Sequence, residues 1–131
     1  MDRVELVRGT LDVMILKALT WGPKHGYAVT RWVGNATGGR LEVAEGALYP
    51  ALHRLERRGV VASDWGLSEN NRQARFYRIT AAGRRQLAAD VSAWEEYVEL
   101  LARVLGADAL GGSALGRGAL GAAPAPARGR A

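Results

Sequence analysis

Apolar residues along this chain repeat with two different periods. Between Thr10 and Gly22, Leu11, Ile15 and Leu19 share one helical face, and Met14 and Ala18 widen it. Thr10 is suited to accept a backbone hydrogen bond as N-cap, Asp12 favours the first turn, and Gly22-Pro23 ends the element. "HGYAVTRWVGNAT" predicts a second, shorter helix. Leu41 to Val43 predict a brief extended piece. In "EGALYPALHRLERRGVV", Leu48, Leu52 and Leu55 line one face of a third helix with Ala51 beside them. Gly59 offers it a left-handed stop. Pro50 implies that this helix begins only shortly before it, because a proline deep inside loses a hydrogen bond and clashes.

The period then changes. "VVASDWGL" and "RQARFYRIT" are rich in β-branched and aromatic residues and flank "SENNR", which predicts a hairpin with a polar, partly basic tip. Asn70 and Asn71 suit a turn that visits positive φ. Phe76 and Ile79 are placed to tie the hairpin to the core. Thr80 can cap a last helix running from Ala81 to Leu105. Its apolar residues Leu87, Val91, Trp94, Val98, Leu101 and Leu105 are spaced 4, 3, 4, 3 and 4 apart, as in a coiled-coil seam. At about 1.5 Å per residue such a helix is roughly 37 Å long, too long to pack wholly on a small domain.

These elements add up to a mainly α chain with a small β-hairpin (α+β), ordered as a winged helix-turn-helix with a long C-terminal dimerisation helix. Residues 1–80 form the expected DNA-binding unit and residues 81–105 the dimerisation helix. Residues 106–131, made of Gly, Ala, Pro, Leu and Arg without a usable period, form an expected flexible low-complexity tail.

Composition narrows the function. The 131 residues contain no cysteine, which removes disulfides, thiolate catalysis and cysteine-ligated metals, and suits a reducing cytoplasm. With two histidines and no cysteine there is no nucleophile–base–orienter set, so an enzyme is not expected, nor a cofactor or metal. No apolar run reaches membrane-spanning length, and "MDRVELVRG" does not read as a signal peptide. The net charge of +5 is unevenly spread. Residues 50–86 carry eight arginines against three carboxylates, and residues 87–108 one arginine against five. A basic surface joined to an acidic arm fits a polyanion-binding unit whose arm stays off the polyanion.

Around the third helix, Gly46, Pro50, His53 and Arg57 point away from the leucine face, with Tyr49 and Arg54 flanking them. A major groove admits one helix between walls of phosphate. Gly46 allows close approach, Tyr49 and His53 can hydrogen-bond while lying flat, and Arg54 and Arg57 can neutralise phosphates. Tyr49 can instead pack on the second helix, and His53 can simply be solvated. Arg72 and Arg75, near the hairpin tip, would reach flanking backbone or minor groove, or be solvated. Lys24 and His25 can meet a phosphate at the start of the second helix, or His25 can be its cap.

Two copies would read a palindrome with half-sites roughly 34 Å apart. The Leu87–Leu105 seam supplies their interface, joined by Leu11 and Ile15 of the first helix. Such a seam can also fold back within one chain. Trp94, at its centre, is either a core anchor or the wall of a cavity for a small aromatic effector.

The segments "RGTLDVMILKAL", "HGYAV", "EGALYPALHRLERRGVV" and "NNRQARFYRITAAGRRQL", with the long final helix, resemble the PadR family of regulators from about Val7 to Leu105. The resemblance implies a repressor of the compact subgroup, acting at the cytoplasmic nucleoid and dimerising through its last helix. It puts Tyr49, Pro50, His53 and Arg54 on the recognition helix, and Asn71, Arg72 and Arg75 on the wing. Some members sense aromatic compounds at the dimer interface, which bears on Trp94. The tail lies outside the family pattern. The competing reading is a winged-helix adaptor that binds protein rather than DNA.

Overall fold

The computed structural model describes residues 9–106. The expected tail from residue 107 onward, and Val7 at the start of the family resemblance, lie outside the described residues. The elements run α1 (Thr10–Leu19), β1 (Lys24–His25), α2 (Gly26–Ala36), α3 (Glu45–Arg57), β2 (Val61–Leu67), β3 (Gln73–Ile79) and α4 (Ala81–Leu105).

Helix α1 is the centre of the packing and touches α2, α3, α4 and β3. Leu11, Ile15, Leu16, Ala18 and Leu19 are all buried on it. Two expectations change here. Gly9, at φ 89°, takes the N-cap position without a side-chain hydrogen bond, so Thr10 is the first helical residue rather than the cap. Ile15 is fully enclosed and Leu11 nearly so, both inside the core of their own chain. Neither leaves much of its own surface free in the single chain, so a share for α1 in a dimer interface would fall to its other residues.

In α2, Val29 and Val33 face the same core. The Thr37 hydroxyl closes the helix by donating to the Val33 carbonyl and accepting from the Leu41 N–H, which starts the chain toward α3. Leu41–Val43 form no strand; Val43 is buried and anchors this connection. Helix α3 buries Leu48, Ala51, Leu52 and Leu55, and carries Pro50 as its sixth residue, deeper than the sequence suggests. Gly59 adopts φ 78°, and the Val60 N–H reaches back to the Leu55 carbonyl at 3.2 Å. This left-handed end reverses the chain into the hairpin, where a side chain would be strained.

Strands β2 and β3 pair antiparallel from Val61↔Ile79 to Leu67↔Gln73. Asn71 holds φ 61° in the connecting turn, as its residue type predicts. A third strand, β1, adds to the far edge of β3 through Lys24↔Tyr77 and His25↔Phe76, giving the order β1-β3-β2. Two residues are too few to show a period, so this strand is invisible in sequence.

The Thr80 hydroxyl accepts from the Gly83 N–H at 3.0 Å, capping α4 as predicted, and donates to the Gly59 carbonyl at 2.8 Å. Only Gly83 and Leu87 are buried on α4. Leu87 belongs to the core of the domain rather than to a free seam. Val91 packs against that core, and the residues beyond it alternate between exposed and half-buried. Trp94, Tyr97, Leu100, Val104 and Leu105 are all exposed. Among the described residues no helix is long and apolar enough to cross a membrane.

Candidate nucleic-acid interface

The outer side of α3 is open. Gly46, Tyr49, Pro50, His53, Arg54 and Arg57 are all exposed, opposite the buried leucine face. Tyr49 is only 37% exposed. Its ring lies so close to Gly26 that a Cβ there would collide with the Tyr49 hydroxyl. Glycine at the start of α2 thus lets Tyr49 lie across the junction of the two helices, which is the packing alternative read from the sequence. Arg54 is tied back to α1, with Nη2 2.8 Å from Asp12 Oδ1, and Arg58 approaches the other oxygen at 3.8 Å. A phosphate meeting Arg54 must compete with Asp12. Arg57 has no such partner among the described residues.

The start of α2 is used internally. The Nδ1 of His25 accepts the Ala28 N–H at 3.3 Å, which makes this residue the N-cap. In the neutral ring the proton then sits on Nε2, 3.6 Å from Glu69 Oε1 at the hairpin tip. The ring also meets the edge of Phe76 at 5.4 Å. His25 is thus the structural cap that the sequence offered as one alternative. Lys24 is half-buried in β1, and desolvation lowers its pKa. It is a strand residue, one position before the cap of α2.

Glu69 also reaches Arg31 Nη1 at 3.8 Å, and the Arg31 guanidinium lies 5.6 Å from the centre of the Tyr27 ring. The hairpin tip is thereby latched to α2. A hydrogen bond from its own backbone N–H, and then His25, hold the Glu69 carboxyl below its usual pKa. Beside this latch an open groove of about 630 Å³ runs between α2 and α3, bordered by Tyr27, Arg31, Asn35, Leu41 and Tyr49. Glu42 and Glu45 lie on its rim.

Arg72 stands exposed in the turn, its N–H bonded to the Ser68 hydroxyl at 3.4 Å. Arg75 is not near the tip. It lies opposite Trp65, further down the ladder, with its guanidinium 5.5 Å from that ring and Nε 2.9 Å from Ser63 Oγ. The outer α3 residues and Arg72 and Arg75 are all exposed, while His25 touches Glu69 at the hairpin tip and precedes Gly26, on which Tyr49 packs. Arg31, Glu69 and Trp65 are missed by sequence reasoning. Only Trp65 carries a signal there, since its strand alternation puts it on the core-facing side of β2.

The sequence profile of the transcriptional regulator PadR-like family matches residues 15–89, from α1 to the root of α4. The chain belongs to this family. PadR-like proteins are by that description transcriptional regulators and not enzymes. Uncharacterized protein X of Lysinibacillus sphaericus is 30% identical over 101 residues, which are 77% of this chain and 93% of that protein. A transcriptional regulator of Mycobacterium tuberculosis is 45% identical over 64 residues, 49% of this chain and 56% of its own length. Among solved structures, a transcriptional regulator from Clostridium thermocellum matches with a TM-score of 0.63 and 31% identity, over 75% of this chain and 91% of that one. Bacillus subtilis PadR in complex with operator DNA shares the PadR-like fold at a TM-score of 0.56 and 22% identity, over 65% of this chain and 47% of its own.

Proposed function

We propose that this PadR-like regulator binds a palindromic operator in double-stranded DNA as a homodimer and represses transcription there. The carrying observation is the outer side of α3, where Tyr49, Pro50, His53 and Arg57 are exposed directly opposite four fully buried residues. Gly46 at its first turn leaves room for the helix to sit deep in a major groove, and Arg72 extends the basic surface to the hairpin tip. Arg54 contributes once a phosphate displaces Asp12. That a protein of the same fold, Bacillus subtilis PadR, is found in complex with operator DNA supports DNA as the partner. Residues 1–80 then serve as the DNA-binding domain, 81–105 as the pairing helix and 106–131 as a tail, in a protein of the cytoplasm that works at the nucleoid.

Val91, Trp94, Val98, Leu101 and Leu105 supply the pairing surface in this reading, with acidic residues keeping the arm off DNA. Trp94 and Tyr97, with ring centres 5.6 Å apart, form the wall against which a small aromatic effector would lie. Binding to a duplex selected from a random pool tests the core of the reading. Affinity should fall about tenfold or more between low and physiological salt, as displaced counterions require. Arg72→Ala should make the salt slope shallower by about one for each phosphate that the arginine neutralises. A salt-insensitive interaction without sequence preference would leave the protein-adaptor reading instead.

A further inference from the structure

The β2–β3 ribbon carries two apolar side chains that folding does not use. Trp65 is 63% and Leu67 64% exposed, on the same face of the ribbon that buries Val61, Tyr77 and Ile79 nearer its root. A large apolar side chain left in water beside a basic face marks a contact surface when its neighbours are also arranged for contact. Here they are. Arg75 faces Trp65 across the ladder and lies over its ring. Its Nε donates to Ser63 Oγ, and the Ser63 hydroxyl in turn donates to Glu56 Oε2 of α3 at 2.6 Å. The guanidinium is thus pinned on one edge and supported on one face. Its terminal nitrogens have no hydrogen-bond partner among the described residues. Glu56, the carboxylate in this row, is occupied by Ser63 one ladder step nearer the root.

We infer that Trp65 and Arg75 form a clamp for the sugar–phosphate ridge that separates the groove occupied by α3 from the groove reached by the hairpin tip. Arg75 takes a phosphate oxygen through its terminal nitrogens, and the outer face of Trp65 lies against the adjoining deoxyribose. Trp65 is a positioning residue for Arg75 as well as a contact. The occupant follows from charge and continuity: the pair lies on the strand face that meets α3 through Glu56, with Arg57 on that helix and Arg72 at the tip. This inference rests on the DNA-binding reading above.

The experiment uses the full chain and the duplex that the wild-type protein selects from a random pool, titrated across a salt series. Trp65→Ala and Arg75→Ala should each weaken binding about tenfold, and each should lower the salt slope by about one per site. The loss in the double variant should fall well short of the sum of the two single losses, because the indole acts in part through the guanidinium. Trp65→Phe, which keeps a ring and the hairpin, should retain most of the affinity. It should also show less of the duplex-induced quenching of emission that the clamp predicts for the wild type. Wild-type affinity and slope in Trp65→Ala, or losses that simply add in the double variant, would overturn the clamp while leaving DNA binding intact. Failure of the wild-type protein to select any duplex would bring down both.

Discussion

A Cβ at Gly83 would run into the carbonyl oxygen of Val60 and lie 2.7 Å from Ile79 Cγ1. Alanine in the first turn of α4 would gain about 1 kcal/mol in helix propensity. The backbone oxygen cannot swing aside as a flexible side chain can, so the overlap should win. Gly83→Ala is expected to destabilise the fold by about 1–3 kcal/mol in urea unfolding. At this scale the sequence is legible where a residue acts on its own neighbours. Thr80 as cap, Gly59 as helix stop and Asn71 at positive φ all follow from residue type and immediate context. Thr10 does not, because the glycine before it adopts a left-handed conformation and moves the boundary by one residue. Partners far along the chain are hidden altogether. The Arg54–Asp12 bond spans 42 residues, and neither residue type announces the other.

Among elements, the hairpin and all four helices are visible because each is long enough to show a period. The two-residue β1 exists only through pairing with β3, a long-range choice that no local pattern records. That strand delivers His25 to the hairpin tip, and with it the Glu69 latch. A carboxyl whose pKa is depressed in the folded chain adds stability at pH values above its unfolded pKa, and that stability is lost as the pH falls through the folded value. Glu69 is such a group. Acidification below the ordinary carboxylate range should therefore release the tip from His25 and Arg31 while α3 stays folded. Protection of the amides at Asn70–Arg72, relative to their intrinsic exchange rates at each pH, should fall there, and Glu69→Gln should show the lower protection already at neutral pH. Exchange that is equal in both proteins at every pH would mean that the turn hydrogen bonds alone hold the tip.

For the whole molecule, the length of α4 as a single rod from Ala81 to Leu105 is readable from its helical spacing. How much of it packs on the domain is not, since Leu87 fits the seam pattern and the core equally well. Leu101, half-buried and outside the core cluster, makes the pairing proposal testable. Leu101→Asp should halve the mass measured by sedimentation and cost the isolated domain no more than about 1 kcal/mol, because the residue lies outside the core cluster. An unchanged mass would rule out this stretch as the contact between copies.

The Thr80 hydroxyl binds the last residues before the hairpin and the first turn of the rod in one bracket, through Gly59 and Gly83. Gly59 lies just past the C-cap of α3, so the rod and α3 are mounted on the same joint. In a pair of chains, a small change in the angle at which the two rods cross would swing the two α3 helices like the points of a pair of dividers. The distance between them, and hence the spacing of sites they can span at once, would be set far from either point.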